Sequence, residues 1–178
     1  LPQSGAGRSI MTTQPRFVPN EAVRIEFADR QFCNVRLVDC VGYLVPGAIG
    51  HLENDAPRMV RTPWFDYDIP FEEAAELGTR KVIAEHSTIG VVMTTDGSIT
   101  ELPRESYVEA EARVLREMKE TGKPFVLIIN SIDPEGEAAQ SLRDALSEQY
   151  GVCAICLNAM QMTAAQAAQL IEEMLLEF

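Results

Sequence analysis

Apolar and polar positions along the chain fall into two periods that change near its middle. "VRIEFA" (23–28) and "FCNVRLVD" (32–39) are strand-like, and in the second Cys33, Val35 and Leu37 share a face. Joined through Asp29 and Arg30, they predict an antiparallel pair that ends at Asp39. Residues 1–22 have loop composition, with Gly, Pro, Ser and Thr and no periodicity. The stretch 43–70 is too long for an ordinary link in a compact domain and reads as functional, mobile or both. Its Trp64, Phe65 and Tyr67 either anchor an interface or cap the sheet.

A helix is expected over residues 71 to about 86, with Gly78 as a weak point. "TIGVVMTTD" reads as a buried strand, and "SYVE" at Ser106 matches a capping box opening a helix that Gly122 and Pro124 stop. "FVLIIN" is wholly apolar, as in a parallel sheet covered on both faces. The stripe Ala138, Ala139, Leu142, Ala145, Leu146, Tyr150 marks a helix over 137–150. "VCAICLN" is the last strand, and "TAAQ" opens a final helix with Ala164, Ala167, Ala168, Ile171, Met174, Leu175 and Phe178 on one face.

Strand and helix thus alternate from residue 88 onward, which predicts an α/β sandwich of three layers. In such sheets ligands collect at the carboxyl ends of the strands. Three predicted strand ends carry polar groups: Asp39; Thr94, Thr95 and Asp96; and Asn130 with Asp133. These are expected to converge on one rim.

Composition narrows the function classes. The 178 residues suit one domain with a sizeable core, and no run of 18 apolar residues occurs, so a soluble chain is expected. A formal charge of −12 argues against a nucleic-acid groove or direct attraction to anionic lipid. The first residue is Leu and no signal-peptide pattern follows, so a fragment or processed product is expected. Cys153 and Cys156 have CxxC spacing, but within a strand they face opposite sides and cannot share a metal. With only His51 and His86 besides, a zinc site is not expected. No G-x-S-x-G elbow is present, which argues against a serine hydrolase.

The D-x-x-G of Asp39–Gly42 is short and could simply be a turn. At a strand tip, however, its carboxylate could hold magnesium through the ion's water shell, and Gly42 could bring its N–H to a terminal phosphate. Thr12 and Thr13, in "MTTQP", could give a hydroxyl to the ion and an N–H to the γ-phosphate, or belong to a solvated loop. "NSID" after "FVLII" could present Asn130 and Asp133 to a purine edge, or Asp133-Pro134 could be a helix-initiating turn.

The order of loop threonines, hairpin, strand-end D-x-x-G and strand-end N-x-x-D resembles the GTPase-like branch of the P-loop NTPases. Four longer stretches are more specific: "IMTTQPRFVPNEAV", "VRLVDCVGYLVPGAIGH", "PRMVRTPWFDYDIPFEEAAELGTRKVI" and "HSTIGVVMTTDGSIT". They are similar to the ATPase domain of the stage IV sporulation protein A family, the morphogenetic ATPases of the spore coat in endospore-forming bacteria. The resemblance implies a three-layer P-loop NTPase sandwich, with a mostly parallel sheet and one antiparallel hairpin. It further implies a mother-cell cytoplasmic protein that uses ATP and Mg2+, and whose ATP-driven polymerisation builds the coat's basement layer at the outer forespore membrane. The implied partners are other copies of itself, spore coat proteins and a small amphipathic peptide that brings it to the membrane. By position, Thr12 and Thr13 match the γ-phosphate-sensing pair, Asp39 the magnesium-associated acid and Gly42 the phosphate-contacting glycine, with Thr13 also offered to the metal.

The sequence departs from the pattern in three places. No G-x-x-x-x-G-K-[ST] occurs, so the first strand, phosphate loop and first helix are expected to lie outside this sequence, and the chain alone is expected to be inactive. Tyr43 stands where many GTPases place a water-orienting Gln. Ser131 replaces the lysine that packs over guanine, which favours ATP, while Asp133 keeps GTP open. Two other classes remain possible: a non-catalytic coat-assembly scaffold with a degenerate NTPase fold, and a regulatory GTPase.

Overall fold

A computed structural model describes residues 16–26 and 32–176. Its core is a three-stranded parallel sheet in the order β7 (Gly90–Thr95), β8 (Phe125–Asn130), β9 (Ala154–Leu157). The central strand explains the packing. Val126, Leu127, Ile128 and Ile129 are all essentially buried, and their side chains alternate between the two faces. Leu127 and Ile129 join Val92 of β7, Leu115 and Met118 of helix α2 (Val108–Thr121), and Leu146 of helix α3 (Glu137–Tyr150). Val126 and Ile128 join Met174 and Leu170 of helix α4 (Ala164–Leu176) on the other side. Helices therefore cover both faces, which is why "FVLII" carries no polar alternation.

The edge strand departs from expectation. β7 is not buried throughout: Val91 and Met93 are 46% and 56% exposed, because α4 packs over β8 and β9 and leaves that face of β7 open. Cys153 packs with the α4 cluster and Cys156 with the α2–α3 cluster, so the CxxC thiols point to opposite faces as its strand reading requires.

The N-terminal hairpin pairs β1 (Arg16–Glu26) with β2 (Phe32–Asp39) antiparallel. β1 begins at Arg16, so residues 16–22 are strand rather than the loop their composition suggested. The register breaks between Val18 and Val23, and that irregularity, which spans Pro19 and Asn20, erased the alternation a strand would show. Leu37 shares parity with Cys33 and Val35 yet is exposed. This hairpin is a separate sheet; no strand pairing joins β2 to β7.

The connection 43–70 carries two further antiparallel pairs, β3 (Leu52–Glu53) with β4 (Ala56–Pro57) and β5 (Met59–Val60) with β6 (Ile69–Pro70). Among the described residues three antiparallel pairs thus stand where a single hairpin was expected. Asn54 and Asp55 both have positive φ, the conformation a tight two-residue hairpin turn needs and these residues tolerate best. Of the aromatics here, Trp64 and Phe65 are half-buried; Tyr67 is exposed and stacks on Phe65.

Helix α1 (Phe71–Lys81) buries Phe71, Ala74, Ala75, Gly78 and Thr79. Gly78 is no weak point, because its bare Cα lies on the buried face. The helix widens into a π-type turn over Val82–His86, where the carbonyls of Ile83, Ala84 and Ser87 all accept from Lys123 Nζ at 2.7–2.8 Å. One ammonium thus serves three carbonyls at the end of the widened turn, and the Ile83 carbonyl also accepts the Ser87 hydroxyl at 2.8 Å.

The capping box expected at Ser106 does not form. Residues Arg104–Tyr107 make a 3₁₀ turn and α2 starts after it with no side-chain cap. Arg104 instead pairs with the buried Glu111 at 2.8 Å, which fixes that turn to the helix. α2 ends as predicted, with Gly122 at φ +66. In α3 the buried stripe is Ala139, Leu142, Leu146 and Tyr150, while Ala138 and Ala145 face solvent. The box that opens α4 is real: Thr163 N–H donates to Gln166 Oε1 at 2.9 Å and Gln166 N–H donates back to Thr163 Oγ1 at 3.3 Å. Ala164 and Leu175 of its predicted stripe are exposed, and Leu170 packs instead. Phe178 lies outside the described residues.

Candidate functional site

Parallel strands deliver their carboxyl ends to one rim, and two of the three predicted tips meet there. Asp96, just past β7, accepts from Ser131 Oγ at 2.6 Å, from Ser98 Oγ at 2.5 Å and from Ser98 N–H at 2.9 Å. Those two hydroxyls in turn accept backbone amides: Ser131 Oγ from Asp133 N–H at 3.1 Å, and Ser98 Oγ from Ile132 N–H at 2.9 Å. One carboxylate therefore orients both hydroxyls that hold the loop "NSID". Burial works against the Asp96 charge, but the hydrogen bonds from Ser131 and Ser98 outweigh it and keep its pKa below the usual aspartate range.

Asn130 ends β8, and its Oδ1 accepts Ala159 N–H at 2.9 Å, joining the rim to the loop after β9. Ser131, where the guanine-reading pattern has a lysine, is 1% exposed and turned into the rim. Asp133 opens a turn closed by Gly136 N–H to Asp133 carbonyl at 3.1 Å. A Cβ on Gly136 would fall 2.5 Å from Asp133 Oδ2, so the carboxylate lies against its own turn. The helix-initiating turn considered for Asp133-Pro134 is thus present.

The third tip arrives on the hairpin. Asp39 is the exposed last residue of β2, opposite Arg16. Gly42 adopts φ +80, a conformation that costs any residue with a Cβ, although nothing stands within 4 Å to clash with one. Its N–H donates to Thr79 Oγ1 at 3.0 Å, and the same hydroxyl lies 3.3 Å from Gly42's carbonyl. Farther along, a Cβ on Gly47 would meet Leu102 Cδ2 at 2.7 Å, so the segment after the D-x-x-G packs on the loop that follows Asp96. No strand pairing brings Asp39 to Asn130, so the expected convergence of all three tips is carried by pairing for two of them only.

Tyr43 turns away from the loop. Its hydroxyl donates to Glu117 and its ring lies 4.1 Å beneath the Arg113 guanidinium. Arg113 also takes Glu76 in a bidentate pair at 2.6 and 2.7 Å and Glu117 at 3.2 Å. Arg113 holds the Glu76 carboxyl below its ordinary pKa against the opposing effect of burial. Burial, then Glu117, pushes the Tyr43 phenol well above the usual tyrosine range. The loop is therefore tied to α1 through Thr79 and Glu76, and to α2 through Arg113 and Glu117. The ties between the loop and the helices were not legible in the sequence, because Gly42 and Thr79 lie 37 positions apart and Tyr43 and Glu117 74, with no motif linking them.

Thr12 and Thr13 lie outside the described residues. Among the described residues no group of three or more His, Cys, Asp or Glu side chains could hold a metal ion. Asp39 offers one hard oxygen donor, which fits magnesium kept mostly in its water shell and bound through few carboxylates.

An α/β domain with a polar rim at the ends of parallel strands has the layout in which ligands collect at the strand tips. Residues 1–178 match the family "Stage IV sporulation protein A, ATPase domain" along their whole length, and the chain belongs to that family. It is 54% identical to stage IV sporulation protein A of Bacillus anthracis, 51% to that of Bacillus subtilis (strain 168) and 46% to that of Clostridioides difficile (strain 630). Each comparison covers 100% of this chain but 36% of the relative, so the chain spans about a third of the curated relatives it matches. No solved structure matches it. Among the described residues no helix is long and apolar enough to cross a membrane.

Proposed function

We propose that this chain is the nucleotide-hydrolysing module of a larger morphogenetic protein, in which ATP turnover drives self-assembly into the basement layer of the bacterial spore coat. The observation that carries the reading is the strand-tip Asp39 followed by Gly42 at φ +80, in a chain of an ATPase-domain family. Asp39 would hold magnesium through its water shell, with Thr13 as a further oxygen donor, and Thr12 and Thr13 would sense the γ-phosphate. Bound magnesium would neutralise charge between the terminal phosphates. Gly42 would donate its N–H to the terminal phosphate, and Asn130 would meet the base edge with Nδ2.

ATP is favoured over GTP by two features of the rim. Ser131 is buried against Asp96 and leaves no lysine to cover a base, and the Asp133 carboxylate is folded onto Gly136. In the complete fold, a phosphate loop with its strand and helix, contributed by sequence other than these 178 residues, would finish a three-layer P-loop NTPase sandwich. β7 is an edge of the parallel sheet, so its free backbone edge offers that strand a pairing partner, and the exposed Val91 and Met93 offer the accompanying helix a face to cover. The whole protein would act in the mother-cell cytoplasm and lie peripherally on the outer forespore membrane. There it would meet other copies of itself, coat proteins and a small amphipathic anchoring peptide.

Turnover of ATP and GTP by the full-length protein, with light scattering after nucleotide addition, tests this reading. ATP turnover with a rise in scattering is expected. GTP turnover without scattering would identify a regulatory GTPase, and no turnover at all a scaffold.

A further inference from the structure

We propose that Thr79 is a latch on the D-x-x-G loop, holding the Gly42 amide until a nucleotide's terminal phosphate takes its place; this rests on the nucleotide reading above. A peptide N–H carries one hydrogen. In this structure that hydrogen is directed at Thr79 Oγ1 at 3.0 Å, within the normal range for a good bond. Thr79 projects from the buried face of α1, is 2% exposed, and its hydroxyl also meets the Gly42 carbonyl at 3.3 Å. A single side chain thus engages both polar groups of one residue. The Gly42 amide cannot serve Thr79 and a phosphate oxygen together, so phosphate binding requires exchange.

A second catch lies one residue on. Tyr43 is anchored by Glu117 and covered by Arg113, which Glu76 fixes in turn. Loop, α1 and α2 are therefore coupled. Freeing Gly42 releases a buried hydroxyl on α1, and moving Tyr43 disturbs a bidentate ion pair between the helices. Thr79 touches no nucleotide in this scheme; it acts through Gly42 as a positioning residue. The latch lowers affinity for nucleotide, because part of the binding free energy goes into opening it.

The test uses the full-length protein, Mg–ATP and equilibrium binding with a fluorescent ATP analogue, alongside kcat and KM. Thr79→Val keeps shape and removes the hydroxyl. It is expected to tighten Kd about fivefold, the ratio that one net protein hydrogen bond is worth. Thr79→Ser restores the hydroxyl and is expected to return Kd to near the wild-type value. Tyr43→Phe opens the second catch without disturbing Thr79 and is expected to tighten Kd by two- to fivefold, so a poorly folded Thr79→Val leaves the question decidable. A residue serving only stability would lower Tm and leave Kd unchanged or weaker. Wild-type binding with no tightening in any folded variant overturns the latch and spares the nucleotide reading. No Mg–ATP binding by the wild type overturns both.

Discussion

Removing the Asp96 carboxylate is the sharpest test of how the rim is built. Asp96→Ala deletes the acceptor of three hydrogen bonds: one from Ser131 at the buried centre of the rim, and two from the more exposed Ser98. A bond to a charged acceptor contributes roughly 1.5–3 kcal/mol when shielded and much less when solvated. The Ser131 bond therefore dominates, and the expected loss is about 2 kcal/mol. For a domain of this size that corresponds to a fall in Tm of roughly 4–8 °C. Calorimetry of the full-length protein reads it from the transition belonging to this domain.

The pH dependence has a defined sign. The folded-state pKa of Asp96 is depressed, so its contribution is fully present above the ordinary aspartate value and is lost as pH falls through the lowered one. Asp96→Ala should therefore flatten the acid limb of the stability curve and leave its neutral-to-alkaline limb parallel to wild type. A Tm within 1 °C of wild type at pH 7, or an acid limb of unchanged steepness, would refute the hub role of Asp96.

Three further perturbations follow from contacts of different kinds. Arg104→Met leaves the buried Glu111 carboxylate without its cation and should cost about 3 kcal/mol, measured by chemical denaturation; a loss under 1 kcal/mol would show that Glu111 finds another partner. Lys123→Met strips three carbonyls of one donor and should cost about 2 kcal/mol, with faster hydrogen exchange confined to the turn after α1; unchanged exchange there would contradict the capping role. Thr163→Ala breaks the reciprocal box at the start of α4 and should cost about 1 kcal/mol, whereas Gln166→Glu should preserve it; equal melting of Thr163→Ala and wild type would count against the box.

Local signals made much of the fold legible. The span of α3 and the stop of α2 at Gly122 follow from stripe and glycine, and the box at Thr163 from four residues of sequence. Signals failed where tertiary partners override local preference. Ser106 has a capping-box spacing, yet the pair between Arg104 and Glu111 claims that turn. Gly78 reads as a breaker, yet the packed face of α1 accepts it. The strand from Arg16 was hidden because its irregularity carries Pro19 and Asn20, which sequence rules assign to loops.

The rim was half legible. Asp96 and Asn130 were found as strand-end polar groups, and the meeting of their loops follows from parallel topology alone. The ties that set the other loop, Thr79 on Gly42 and Arg113 on Tyr43, join segments with no sequence relation. Ser131 shows the same limit: a departure from a motif in sequence, it is in space a buried bridge between Asp96 and the Asp133 amide.

In the proposed function the hairpin tip and the parallel-sheet rim serve one magnesium-bound nucleotide. A structure of the full-length protein with magnesium and a non-hydrolysable ATP analogue decides this. Expected are the ion at the Asp39 carboxylate, the Gly42 amide turned from Thr79 to the terminal phosphate, and the adenine edge at Asn130. A nucleotide bound away from Asp39, or one bound with the Gly42 amide still on Thr79, would contradict it.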